Sequence, residues 1–246
     1  MSELTSESTG IRATTGPGEV GRGSLDTAWD EDVRVAVYRA FAVHGRPPTA
    51  PELADAAHGS LAVAKQALHR LDGARQLVLD ECEHVVLAHP FAAVPLGFSV
   101  MGARTLWWGG CAWDSFAIPH LVPDEPEVLV STRCPGCGEP SALVVGREAP
   151  PKGAQVAHFP VPAARMWDDV RHTCSLQRLF CDESCVDEWA GESGTGKGSV
   201  LDLDTLWHLA SGWYAGRLDH GYRRREPAEA ADYFRGVGLT GAFWGE

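Results

Sequence analysis

Basic residues are scarce in this chain: 21 lysines and arginines stand against 33 acidic residues, for a net charge of −12. That balance argues against broad affinity for nucleic acid or an anionic membrane, both of which depend on attracting cations to phosphate. It does not exclude a local basic patch. Long apolar runs are missing too, and none approaches the ~20 residues that a membrane-crossing helix needs. The N-terminus shows no basic stretch followed by an apolar core, so no secretory leader is expected and a cytoplasmic location is. There is no internal repeat, no phosphate-cradling glycine loop and no Gly-x-Ser-x-Gly elbow.

What the chain does contain is cysteine, seven in 246 residues. In a reducing compartment such residues serve as ligands or catalysts more often than as disulfides. With 44% hydrophobic and 22% charged residues, the length suits one or two globular domains with a real core.

Residues 1–23 are rich in Gly, Ser, Thr and Glu and read as a flexible tail. From Ser24 to His44 an amphipathic helix is expected, with Val33, Val37 and Phe41 recurring every four residues. Thr49 can N-cap a second helix, with Pro51 in its first turn and Glu52 at the capping-box position. Ser60 can cap a third, carrying Leu61, Ala64, Leu68 and Leu71 on one face. Two short β-type runs follow, Gln76 to Leu79 and His84 to Ala88. Three helices and a hairpin outline a winged helix-turn-helix over residues 24–89, whose third helix could enter a major groove. That helix offers Lys65, His69 and Arg70, but the hairpin tip is Asp80-Glu-Cys-Glu83, which would repel phosphate. Nucleic acid is therefore not the expected partner.

Residues 90–218 read as a mixed α/β domain, and 219–246 as a C-terminal helical extension ending in an apolar anchor. Strands are expected at Leu96 to Val100, Thr105 to Trp108, Val128 to Thr132, Ala142 to Val145, Gln155 to Phe159 and Leu176 to Phe180. Helices are expected from Pro162 to His172, from Cys185, from Asp202 and from Pro227.

Cys134-Pro-Gly-Cys137 has the shape of a metal-binding knuckle, whose backbone N–H groups support two thiolates. Cys181 and Cys185 open an expected helix. Together the four are expected to form a treble-clef-like structural zinc site. A redox role is less expected, because no thioredoxin-like βαβ context surrounds the pair.

Three cysteines remain: Cys82, with no assigned role, Cys174 and Cys111. The last begins Cys111-Ala-Trp-Asp114, after a strand broken by Gly109-Gly110. A thiol at a helix N-terminus faces free N–H groups and the positive dipole end, which favours thiolate. Asp114 lies three residues on, on the same face. This pairs a soft nucleophile with a proton carrier, although a buried thiol beside an ordinary first-turn carboxylate is the plainer reading.

Cys111-Ala-Trp-Asp114 followed by Phe116-Ala-Ile-Pro119 resembles the core motif of the organomercurial (alkylmercury) lyases. The segment from Val170 to Cys174, with Leu179-Phe180 and Trp189, is similar to the family's second-cysteine motif, and Gly198-Ser-Val-Leu201 to the stretch after it. Thr132-Arg-Cys-Pro135 resembles the segment bearing a third, structural cysteine. Cys137, Cys181, Cys185 and the stretch beyond Leu218 depart from the family's pattern.

The resemblance implies an α+β fold, a winged-helix-like domain followed by a lyase-like α/β domain. It also implies protonolysis of a carbon–mercury bond without an organic cofactor. Cys111 and Cys174 would bind mercury and Asp114 would deliver the proton. Hg(II) would remain as bound product until cellular thiols or a mercuric reductase accept it. Trp107, Trp108, Trp113 and Phe116 are candidate walls for an alkyl or aryl group. Two other readings stay open: a related enzyme acting on another carbon–heteroatom bond, and a non-enzymatic metal sensor binding DNA through its winged helix.

Overall fold

Helix α1 (Ala28–His44) opens the region described by the computed structural model, residues 28–246; the tail expected over 1–23 lies outside it. Val33, Val37 and Phe41 are fully buried, as their spacing requires. Helix α2 (Ala50–Ala56) starts with the expected capping box, in which the Thr49 N–H donates to Glu52 at 2.6 Å. Helix α3 (Leu61–Gly73) is capped by Ser60 and buries Ala64, Ala67, Leu68 and Leu71. Leu61, at its first position, stays exposed.

The hairpin of β1 (Val78–Leu79) and β2 (Val85–Ala88) follows, but it does not stand apart as a wing. Strand β2 also pairs with β3 (Phe91–Ala92), and the ladder continues through β4 (Phe98–Met101), β5 (Leu106–Gly109), β6 (Glu127–Arg133) and β7 (Pro140–Gly146). One antiparallel seven-stranded sheet results, in the order β1-β2-β3-β5-β4-β6-β7. It runs straight across residues 89 and 90. The basic face of α3 is paired within the fold: Lys65 and His69 meet Glu83 of the hairpin turn, and Arg70 meets buried Asp30.

Helix α4 (Ala112–Leu121) packs on this sheet, and every residue of it except His120 is buried. A helix apolar all round belongs in a core. Carbonyls at and just beyond its C-terminal end, left free where the helix stops, are met by the Arg147 guanidinium, which donates to Pro119, Val122 and Pro123.

A second antiparallel sheet has the order β10 (Ser199–Asp202), β8 (Val156–Phe159), β9 (Arg178–Phe180). Around it lie α5 (Val170–Leu176), α6 (Glu183–Ser193), α7 (Leu203–Ser211) and α8 (Pro227–Gly236). The helix expected from Pro162 to His172 is broken. A single 3-10 turn spans Ala163–Arg165, and α5 begins afresh after Asp169, whose carboxylate accepts from His172 N at 3.0 Å. A side chain with that capping ability ends one helical run and starts another. Strand β10 pairs residue for residue with β8. Among the described residues no helix is long and apolar enough to cross a membrane.

Candidate active site

Strand β5 delivers the chain to α4 through Gly109 and Gly110. A Cβ on Gly110 would stand 2.3 Å from Asp114 Oδ2, and one on Gly109 would stand 2.1 Å from Ser115 Oγ. Only glycine lets the strand approach the helix start this closely. Cys111 is the N-cap of α4, and its sulfur accepts from Asp114 N at 3.4 Å. Its thiol donates to Asp114 Oδ2 at 3.3 Å. The opposite carboxylate oxygen, Oδ1, accepts a hydrogen bond from the Tyr214 hydroxyl.

Cys174 comes to the same volume from α5. The link is a single backbone hydrogen bond: Ala112 N, next to Cys111, donates to Gln177 O at 3.0 Å. The two thiols are near enough for each to shift the other's ionisation. Cys174 Sγ also lies 3.3 Å from His89 Nε2, at the end of β2. Ligand atoms of His89, Asp114 and Cys174 all fall within 4.8 Å of one another, so this trio is a candidate metal-binding set. Each member is at most 5% exposed.

Burial separates the two thiols in character. Cys111 is pushed far up, first by desolvation and then by its hydrogen bond to Cys174 and the charge of Asp114. Cys174 is brought down to about 7, chiefly by the hydrogen bond with Cys111 and further by His89, against its own burial. For His89 burial acts downward, but Cys174 and Asp114 outweigh it and the net shift is upward. The thiolate expected at Cys111 from its helix N-terminus thus belongs to Cys174. Desolvation of the buried Cys111 exceeds the help of the helix dipole.

Sequence reasoning missed His89, Tyr214 and Arg217. Arg217, buried beneath the site, donates to His89 O at 2.7 Å and places its guanidinium 4.9 Å from the Tyr214 ring centre. Burial opposes its charge, yet the tyrosines Tyr38, Tyr222 and Tyr214 around it shift its pKa upward. Tyr214 is held far above the ordinary phenol range by burial and by the Asp114 charge.

Of the expected aromatic walls, Trp107 belongs to the α1 packing, donating to Phe41 O at 2.8 Å. Phe116 is wholly in the core. Trp113 packs against Trp213, Phe159 and Phe234, so the C-terminal helix α8 covers it. Trp108 is half-buried in β5, opposite Ser99 and Ala92. Besides Tyr214, which bonds Asp114 directly, Trp167 stands beside the trio, 5.6 Å from His89 ring to ring, with the Arg224 guanidinium 4.5 Å from its own ring centre. Trp167 also lines a surface cleft of about 310 Å³, together with Asp72, Arg75, Leu77 and Arg171.

Four further cysteines gather about the β6–β7 turn. The sulfurs of Cys134, Cys137 and Cys181 lie within 4.8 Å of one another, a set able to hold a metal ion, and Cys185 contacts Cys134 and Cys137. Cys82 is exposed on the hairpin turn between β1 and β2, with ligand atoms of Asp80 and His84 within 4.8 Å.

A family model described as MerB, alkylmercury lyase, matches residues 91–215. Comparison with curated protein sequences finds no match. A solved structure described as the mercury-bound form of MerB2 aligns with a TM-score of 0.58 at 14% identity, covering 78% of this chain and 98% of that one. At that identity the likeness concerns the fold.

Proposed function

The chain belongs to the alkylmercury lyase family, and from that premise we propose that it cleaves carbon–mercury bonds by protonolysis at Cys111, Asp114 and Cys174. The observation that carries this reading is the convergence of two unlike thiols on one carboxylate, in a site nearly closed to solvent. Mercury(II) is soft and prefers sulfur, by the rule that sends thiolates to soft metals.

The substrate approaches from the cleft at Trp167. The Cys174 thiolate displaces the exchangeable ligand of R–Hg–X and forms the first sulfur–mercury bond. Cys111 passes its proton to Asp114, and its sulfur becomes the second thiolate on mercury. Protonated Asp114 then acts as general acid toward carbon. As the carbon–mercury bond breaks, its electron pair takes up that proton, and R–H leaves. The sum is R–Hg–X, one thiolate and one thiol giving R–H, X⁻ and Hg(II) on two sulfurs. Added electron density from the second thiolate weakens the bond that must break. The product waits for cellular thiols, or a mercuric reductase, to take mercury by thiol exchange in the cytoplasm.

Each step uses the observed hydrogen bonds as proton paths. The Cys111 thiol already donates to Asp114 Oδ2 at 3.3 Å, and Tyr214 holds the other oxygen so that Oδ2 faces the thiol. The sensor reading has less support, since Lys65, His69 and Arg70 of α3 are all engaged by carboxylates of the fold. Purified protein incubated with phenylmercury and excess thiol should release benzene, and Cys111→Ser should release none while keeping its fold. Wild-type protein that yields no benzene under those conditions would overturn the assignment.

A further inference from the structure

We propose that Cys134, Cys137, Cys181 and Cys185 hold one zinc ion that clamps the β9–α6 unit onto the β6–β7 turn. This site lies outside the proposed reaction and does not depend on it.

The turn is built to present sulfur. Cys134 N donates to Glu139 O at 2.9 Å and Gly138 N donates to Cys134 O at 3.0 Å, closing a tight knuckle. Gly138 takes φ +76°, a conformation that side chains rarely adopt. Backbone N–H groups of Cys137, Gly136 and Cys181 point at Cys134 Sγ. Such N–H···S bonds orient a thiolate for a metal and disperse its charge. A Cβ on Gly136 would meet Cys185 O at 2.6 Å, so glycine lets the turn settle against the start of α6. Asp182 caps α6 by accepting from Cys185 N at 3.0 Å, which fixes the fourth sulfur's backbone.

The spacing of Cys134, Cys137 and Cys181 fits zinc, and Cys185, just outside that trio, completes the set by drawing in on the metal. Four thiolates at the usual zinc–sulfur length stand about 3.8 Å apart along the edges of a tetrahedron. Cys137 Sγ and Cys181 Sγ are 3.5 Å apart, far beyond the ~2.05 Å of a disulfide, and all four cysteines are free thiols. Sulfur alone selects a soft or borderline ion over calcium or magnesium. Four protein ligands leave no open position, which is the pattern of a structural site.

The clamp matters because little else holds this corner. Its core is a small cluster of Cys134, Phe180, Cys185 and Val186, apart from the main one. Arg178 adds polar ties from β9 to Thr132 and Arg133 of β6, at 3.5 and 3.3 Å. Cys181 follows β9 directly, and the Gln177–Ala112 bond precedes it. The strand that leads out of the Cys174 helix is thus fixed at one end beside Cys111 and at the other by metal.

Metal analysis of the full chain, purified from zinc-containing medium, should give one zinc per chain. Cys111→Ser/Cys174→Ser protein should carry the same amount, and Cys137→Ser less than a tenth of it. Because Cys137→Ser can unfold, wild-type protein exchanged into cobalt(II) supplies a second readout: intense sulfur-to-cobalt bands of a tetrahedral four-thiolate centre. Removing the metal from wild type with a chelator should raise amide exchange at least tenfold over residues 178–190 and leave α1 unchanged. A chain with no zinc and four titratable thiols, or with a Cys137–Cys181 disulfide, overturns the site. Metal loss without faster exchange overturns the clamp.

Discussion

His89 Nε2 lies 3.3 Å from Cys174 Sγ across 85 residues of chain. This contact joins the end of the hairpin strand β2 to the helix that bears the second thiol. Both groups are shifted toward their charged forms: the thiol down to about 7, the imidazole up. An imidazole held against a thiol shifted in this way favours the nucleophilic thiolate before substrate arrives.

Site-resolved alkylation of Cys174 measures this directly. With a pKa of about 7, the thiolate fraction rises from roughly a tenth at pH 6 to roughly nine-tenths at pH 8, so the rate should climb about tenfold and then level off. An ordinary thiol would keep climbing through pH 9. His89→Gln removes a group that lowers the Cys174 pKa, so its profile should move to higher pH. Coincident profiles for wild type and His89→Gln would show that His89 does not help to activate the thiol.

Tyr214 predicts a different separation. Its hydroxyl holds Asp114 Oδ1 and touches neither sulfur by hydrogen bond. Tyr214→Phe should keep the fold and the affinity for substrate, while the turnover number for benzene release falls by about five- to tenfold, the value of one hydrogen bond of 1–1.5 kcal/mol. An increase in KM with unchanged turnover would assign Tyr214 to binding instead.

Local signals in the chain reveal most of the elements. The Thr49 and Ser60 caps, the glycine break before Cys111 and the β6 and β7 runs are set by neighbours a few residues away, and each is found where the sequence puts it. Cys111 and Asp114 share one helical turn, so their pairing is legible too. His89 and Tyr214 are not legible. One reads as a hairpin end and the other as the residue after an aromatic helix, and they meet the site across separations of 85 and 100 residues. The charge on Cys111 is misread for a related reason: a helix dipole can be inferred from sequence, whereas burial between α7 and the sheet cannot. The break at Asp169 shows the limit of periodicity, since one capping carboxylate overrides an otherwise continuous helical pattern.

Gly110 tests the geometry of the carboxylate without touching its chemistry. A Cβ there would lie 2.3 Å from Asp114 Oδ2, with Leu87 Cδ2 at 3.6 Å on the other side. Gly110→Ala must therefore displace the carboxylate, and a misplacement of about 1 Å can cost on the order of a hundredfold in rate. Gly191→Ala, in α6 with open space around its Cβ, is the matched control and should retain full benzene release. Equal rates for the two variants would mean that the position of Oδ2 is not critical to proton delivery.

Arg34 ties the site to the N-terminal helix. Its side chain is fully buried, donates to Arg217 O at 2.7 Å and to Asp219 O at 2.5 Å, and pairs with Glu31. Those carbonyls belong to the segment whose Arg217 side chain reaches back to His89 O. Arg34→Met would leave two carbonyls without their donor and Glu31 with only the Gly221 N–H, at a cost of about 2–4 kcal/mol. For a chain of this size that corresponds to a fall of about 5–15 °C in Tm. Because the loosened segment also carries Tyr214 and Arg217, the variant should lose benzene release below its melting transition, at temperatures where circular dichroism still reports a native fold. Calorimetry alongside the assay separates the two effects. A variant that melts lower but turns over normally would confine Arg34 to stability, and one that melts with wild type would remove the link between α1 and the site.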